Sequence, residues 1–219
     1  MFRVCCISDT HGYLPMIDEC DLLIHAGDLT PVFDHSETFQ LSWVSTNFNH
    51  WLKEAPAKRK VVVAGNHDFL FEKMHNYILD KLIDSLDCDY LLDSGVEIGG
   101  YKIWGSPWQP PFYDWAFNLP ENKLAEHWEM IPDDTDILVT HGPPRNIRDR
   151  EGRNEEHVGS KTLLERTWKL PELKLHVFGH VHHDYGQVEI AEAQFVNACY
   201  VDESYRPVHE PIYIDLPNR

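Results

Sequence analysis

Five short apolar runs in this chain each stop at a residue able to bind a metal ion, with a glycine beside it or close by. FRVCCIS ends at Asp9, DLLIHAG at Asp28, KVVVAG at Asn66, DILVT at His141 and LHVFG at His180. Unbroken Val/Ile/Leu runs of this length, without alternation, fit strands covered on both faces, as in largely parallel α/β sheets. Helix-start signals place helices between them, over 37–53, 72–86, 121–130 and 160–168. Shorter runs at 96–98, 101–104, 187–190, 194–196 and 211–214, separated by tight turns, predict antiparallel strands. In open α/β sheets ligands bind beyond the carboxyl ends of the strands, so the five run-ends are expected to meet at one site.

Composition narrows the chemistry. A chain of 219 residues without repeats or low-complexity linkers reads as one domain, 1–219, and buries roughly 70–75% of its unfolded surface. It therefore needs no metal to fold, and a metal here would serve function. With 19 Lys and Arg against 36 Asp and Glu, the net charge of -17 disfavours duplex nucleic acid but leaves room for a small phosphate ester at a locally positive site. The five cysteines include the adjacent Cys5 and Cys6, show no CxxC spacing and read as buried thiols. No apolar stretch approaches a membrane span or a signal sequence, so the expectation is a cytoplasmic protein with no membrane partner.

The candidate site residues form the series Asp9-x-His11, Gly27-Asp28, Gly65-Asn66-His67-Asp68, His141 and Gly179-His180-x-His182. Carboxylate, imidazole and amide donors suit Mn, Fe, Zn or Ni better than Ca or Mg, which favour an all-oxygen shell, and the set contains no Cys. There are too many donors for one tetrahedral ion, and about enough for two that share a carboxylate. Two divalent ions, two carboxylates and a hydroxide leave a net charge of about +1, which attracts a phosphate oxygen.

These five motifs, in this order, resemble the calcineurin-like metallophosphoesterase superfamily. Longer stretches (ISDTHG, HAGDLT, GNHDF, the segment 103–119, THGPP, LHVFGHVHHDYG and IYIDLPN) resemble the metallophosphoesterase-domain-containing family, whose members are similar to class III cyclic nucleotide phosphodiesterases. The resemblance implies a four-layer α/β/β/α sandwich of two mixed sheets flanked by helices. It implies two divalent transition-metal ions, Mn first, with Fe, Zn, Ni or Mg as alternatives. One would be held by Asp9, His11, Asp28 and His182, the other by Asp28, Asn66, His141 and His180. It gives His67 the role of proton donor or transition-state stabiliser, with Asp68 orienting its ring. The implied reaction is hydrolysis of small phosphodiesters, such as 2',3'- or 3',5'-cyclic nucleotides, by metal-activated hydroxide. Rival expectations are a phosphomonoesterase or nuclease on the same metal core, and a non-catalytic scaffold. A homodimer is also compatible with the resemblance.

Other signals are weaker. The aromatic, proline-rich segment 104–117 reads either as a wall for a nucleobase, with Trp108 as its candidate, or as a satellite core. Arg145 and Arg148, within an Arg-rich loop, are candidate phosphate contacts set against pairing with nearby acids. The nine His outside the motifs, His25, His35 and His75 among them, read as structural.

Overall fold

The computed structural model describes residues 1–74, 77–152 and 156–219. Its strands, in chain order, are β1 (Phe2–Ile7), β2 (Cys20–Ala26), β3 (Ala57–Val63), β4 (Asp89–Tyr90), β5 (Ser94–Ile98), β6 (Tyr101–Ser106), β7 (Ile137–Thr140), β8 (Arg150–Glu151), β9 (Glu156–His157), β10 (Leu175–Phe178), β11 (Gly186–Ile190), β12 (Ala193–Asn197) and β13 (Ile212–Leu216). The helices are α1 (Glu37–Trp43), α2 (Asn49–Glu54), α3 (Phe69–Lys73), α4 (Tyr77–Ser85), α5 (Glu121–Trp128) and α6 (Lys161–Thr167).

Two mixed sheets result. One has the order β13-β1-β2-β3-β4, parallel except for β13 at its edge. The other has the order β11-β12-β10-β7-β6-β5, parallel except for β11 and β5. Val4, Ile24 and Val61 of the first sheet meet Ile103, Val139 and Val177 of the second in the central core. The opposite face of the first sheet packs Val62 and Ala64 against Val44, Phe48, Leu79 and Leu82 of the helical layer. The opposite face of the second packs Leu138 and Phe178 against Leu124, Trp128 and Leu163 of α5 and α6. Residues buried on both faces explain why these strands read as unbroken apolar runs.

Register sets the site. Ile7 lies beside His25, and His25 beside Val62, so β1, β2 and β3 release Asp9, Asp28 and Asn66 at one end of their sheet. Val177 lies beside Val139, which brings His141 and His180 out together from the other sheet.

Some local expectations change. The helix predicted over 37–53 is interrupted by a π-helical segment, Val44–Phe48, between α1 and α2. That predicted over 72–86 is two helices, α3 and α4. β6 and β12 are antiparallel only to their hairpin partners, β5 and β11, and run parallel to β7 and β10 on their other edges. Gly99 and Gly100, with φ of 61° and 81°, supply the left-handed turn that closes the β5–β6 hairpin. All five cysteines are free, and no helix among the described residues is long and apolar enough to cross a membrane.

Candidate metal centre

The candidate residues leave the strand ends on strained backbone. Asp9, His11, Asp28 and His180 have φ of 50°, 44°, 55° and 69°, in the left-handed region that L-residues avoid at a cost of roughly 1–2 kcal/mol each. Backbone hydrogen bonds from Asp9 N to Gly27 O (2.8 Å) and from His11 N to Asp28 O (2.9 Å) hold the first two loops in that shape. A Cβ on Gly179 would collide with the Asp9 carboxylate, and one on Gly65 with Asp28, so both glycines let backbone pass directly behind the acids. Strain of this kind is kept where the arrangement serves a site.

The loops bring seven side chains together. Acid and imidazole atoms of Asp9, Asp28 and His141 lie within 4.8 Å of one another, as do those of His11, Asp28 and His67. Asp9, Asp28, Asn66 and His141 are at most 1% exposed. His141 and His180 converge on the Asn66 Oδ1, at 2.9 and 2.8 Å, while His182 Nε2 lies 3.1 Å from Asp9 Oδ1 and 3.3 Å from His11 Nε2.

Tautomers show what this geometry fits. His141 Nδ1 lies 2.9 Å from the Ala26 carbonyl and His182 Nδ1 lies 3.1 Å from the Asp202 carbonyl; a carbonyl only accepts, so both Nδ1 atoms carry the proton. In the neutral rings both Nε2 lone pairs then point at other acceptors, Asn66 Oδ1 in one case and Asp9 Oδ1 in the other. Buried acceptors facing acceptors need a cation between them. A proton on His182 meets part of that need. Against the cost of burial, its hydrogen bond and the surrounding histidines hold the Asp9 carboxyl well below the usual carboxylate range, and Asp9 in turn raises His182. Burial, followed by the charges of Asp9 and Asp68, pushes Asp28 well above that range, and burial holds His180 neutral with a pKa of about 3. Divalent ions would satisfy all of these groups at once, so the residues present fit such ions.

His67 completes the floor of a cavity of about 210 Å³, lined also by Asp28, Asn66, His180 and His182 and rimmed by Phe112, Glu151, Glu203 and Tyr205. Its partner differs from expectation. The Asp68 carboxylate accepts from Leu29 N, Thr30 N, Thr30 Oγ1 and Gly65 N, a set that clamps the Asp28 loop to the Asn66 loop. The ring of His67 instead meets His35, with Nδ1 3.1 Å from His35 Nε2, and packs against Trp115 at 4.2 Å between centroids.

The three candidate substrate contacts lie elsewhere. Trp108 donates to Asp93 Oδ2 at 2.7 Å and packs on Phe117 and His127. Arg145 donates to the His157 carbonyl, and Arg148 to the Gln187 carbonyl and Asp184. None of the three lines the cavity, and each is held by these other partners. Arg153 lies outside the described residues, as does His75. Trp108→Ala should accordingly cost about 2–4 kcal/mol of stability while leaving the KM of any substrate unchanged, as judged by denaturant melts beside initial-rate kinetics. A changed KM at unchanged stability would restore Trp108 to the wall.

Sequence reasoning missed several neighbours. The buried thiol of Cys199 donates to Asp9 Oδ2 at 3.2 Å. Tyr205, with φ of 57°, sits edge-on to His11, His67 and His182. His35, Phe112, Glu151 and Glu203 also belong here, and none stands in a motif.

Known proteins resemble this chain in sequence and fold. Human Metallophosphoesterase domain-containing protein 1 is 39% identical over 241 aligned positions that cover 98% of this chain and 71% of the human protein. A UPF0046 protein of Caenorhabditis elegans is 34% identical, covering 98% of this chain and 81% of its own length. The solved structure of Phosphopantetheinyl Hydrolase from Mycobacterium tuberculosis aligns over 92% of this chain and 90% of that one with a TM-score of 0.56 at 15% identity, a likeness of fold alone. Residues 2–184 match calcineurin-like phosphoesterase, and the chain therefore belongs to that family of dimetal-dependent phosphoesterases.

Proposed function

We propose that the chain is a phosphodiesterase acting on small diesters, with 2',3'- and 3',5'-cyclic nucleotides in its substrate class. The observation that carries this reading is the set of buried lone pairs on Asp9, Asn66, His141 and His182 that face one another across the site, with His180 beside them at Asn66. In this reading Asp9, His11, Asp28 and His182 hold one divalent ion, and Asp28, Asn66, His141 and His180 hold the second. When bound, such ions neutralise phosphoryl charge and lower the pKa of water.

The chain's own groups do the rest. The backbone N–H of His67 donates to Asp28 Oδ1 at 2.7 Å, which ties the loop that carries the ring to the shared carboxylate. Its Nε2 lies 3.9 Å from Asp28 Oδ2, on the side where a phosphoryl group would sit. Burial, then the neighbouring His35, lowers the His67 pKa to about 3, so the ring is neutral and acts as a hydrogen-bond donor to the leaving oxygen. Among the described residues, the lining includes no Lys or Arg. That favours a singly charged diester over a doubly charged monoester, which calls for additional cationic partners.

Metal-stripped protein, with and without added Mn²⁺, is to be assayed on bis(p-nitrophenyl) phosphate, p-nitrophenyl phosphate and a 2',3'-cyclic nucleotide. The expected result is metal-dependent cleavage of both diesters above the monoester. Preference for the monoester would make the protein a phosphatase, and no turnover with metal bound would favour a scaffold. His67→Ala should lower kcat for the cyclic nucleotide roughly 10²- to 10³-fold with metal content unchanged by elemental analysis; loss of metal would instead identify His67 as a ligand.

A further inference from the structure

His67 and His35 belong to different cavities. His67 lines the substrate cavity with the candidate ligands. His35 lines a second cavity of about 500 Å³ on the far side, formed with Phe69, Lys73, Tyr113, Asp114 and Trp115. The two rings are the junction between these spaces, with His35 Nε2 3.1 Å from His67 Nδ1. Trp115 lies 4.2 Å from the His67 ring and 5.1 Å from that of His35, and Phe69 packs on both His35 and Trp115, so apolar rings flank the junction.

The junction is built from both sides. Gln40 Nε2 donates to the His67 carbonyl at 2.7 Å and to Thr30 Oγ1 at 3.0 Å, and Gln40 Oε1 accepts from Leu70 N. Gln40 lies in α1, whose N-cap, Ser36, is the residue after His35. One short helix therefore fixes the two rings relative to each other. Asp68, the expected partner, is spent on four donors of the Asp28 and Asn66 loops and leaves His67 Nδ1 to His35.

We propose that His35 and His67 form a two-histidine proton relay that carries a proton from the second cavity to the leaving oxygen of the substrate, an inference that rests on the phosphodiesterase reading. As the P–O bond to the leaving group breaks, the Nε2 proton of His67 passes to that oxygen, which leaves as an alcohol. His67 Nδ1 takes the Nε2 proton of His35, and His35 Nδ1 takes one from water in the second cavity. The protons released by the attacking water balance the account in solvent. Neither ring changes its net charge. Transfer in the opposite direction, once water has replaced product, resets both tautomers. His35 acts through His67 and is a positioning and relay residue.

Leaving-group dependence tests this directly. An alkoxide needs a proton as it departs, whereas p-nitrophenolate, with a pKa near 7, departs without one. His35→Ala should lower kcat for a 2',3'-cyclic nucleotide about 10²-fold while changing kcat for bis(p-nitrophenyl) phosphate by less than about threefold. His35→Gln, which fills the site but cannot pass a proton, should show the same split at unchanged melting temperature. Added imidazole should restore turnover of the cyclic nucleotide in His35→Ala. Equal losses on both diesters, or no loss on either, would overturn the relay and leave the phosphodiesterase reading intact. Wild-type protein that cleaves neither diester with metal bound would overturn that reading and the relay together.

Discussion

Asp28→Asn should abolish turnover and at the same time stabilise the metal-free protein. Asp28 is 1% exposed, stands at φ 55° and shares its surroundings with two further buried carboxylates, Asp9 and Asp68. In the reading proposed here it serves both ions, and metal-ion catalysis is worth several kcal/mol, so kcat/KM should fall roughly 10³-fold or more. Asparagine tolerates the left-handed backbone and keeps an Oδ1 able to accept from His67 N, so the fold has little to lose. What disappears is a carboxylate that burial, Asp9 and Asp68 disfavour.

The pH dependence has a definite sign. The folded-state pKa of Asp28 lies above its unfolded value, so metal-free wild-type protein has its full stability from this group below about pH 3.9, and loses it as pH rises through the folded value. The advantage of Asp28→Asn over wild type should therefore be absent in acid and grow toward neutral pH. There it should reach on the order of 1 kcal/mol or more, a rise of roughly 2–4 °C per kcal/mol in thermal melts with chelator present. A lower melting temperature for the metal-free variant at neutral pH would show that Asp28 is held by an interaction the strain and charge arguments overlook.

The strand ends were legible in the sequence because burial on both faces writes itself as an unbroken apolar run. Asp9, Asp28, Asn66, His141 and His180 follow such runs at once, so the pattern that forms each strand also aims its last residue. The partner of His67 was not legible. Asp68 is adjacent in sequence, but its carboxylate faces the Asp28 loop, whereas His35 arrives from the start of α1 through tertiary packing. The same holds for Cys199 and Tyr205, which lie beyond the last motif and reach the centre through tertiary pairing, Cys199 by bridging Ser8 after β12 pairs with β10. Trp108 misled for the opposite reason. Aromatic composition marks the segment 104–117 as unusual, but which indole faces the site depends on hydrogen bonds such as those from Ala116 N to Asn66 O and from Trp108 Nε1 to Asp93. Composition carries no such direction.

Metal stoichiometry tests how the donors are divided. Each ion that binds only the folded chain stabilises it by about 2.7 kcal/mol at a hundredfold excess over its Kd, so two independent ions should add about 5 kcal/mol and raise the melting temperature by roughly 10 °C or more. His180→Asn keeps a residue that accepts φ 69° but withdraws the imidazole that meets His141 at Asn66. Its metal content should fall from two ions per chain to one, and its thermal gain on adding Mn²⁺ should fall by about half. Asp28→Asn should lose more than half of that gain from a single substitution, because it withdraws a ligand from both ions. Equal losses in the two variants would mean that Asp28 serves one ion only. In that case the lone pairs converging on Asn66 would define one site, and those converging on Asp9 a second site with no carboxylate in common.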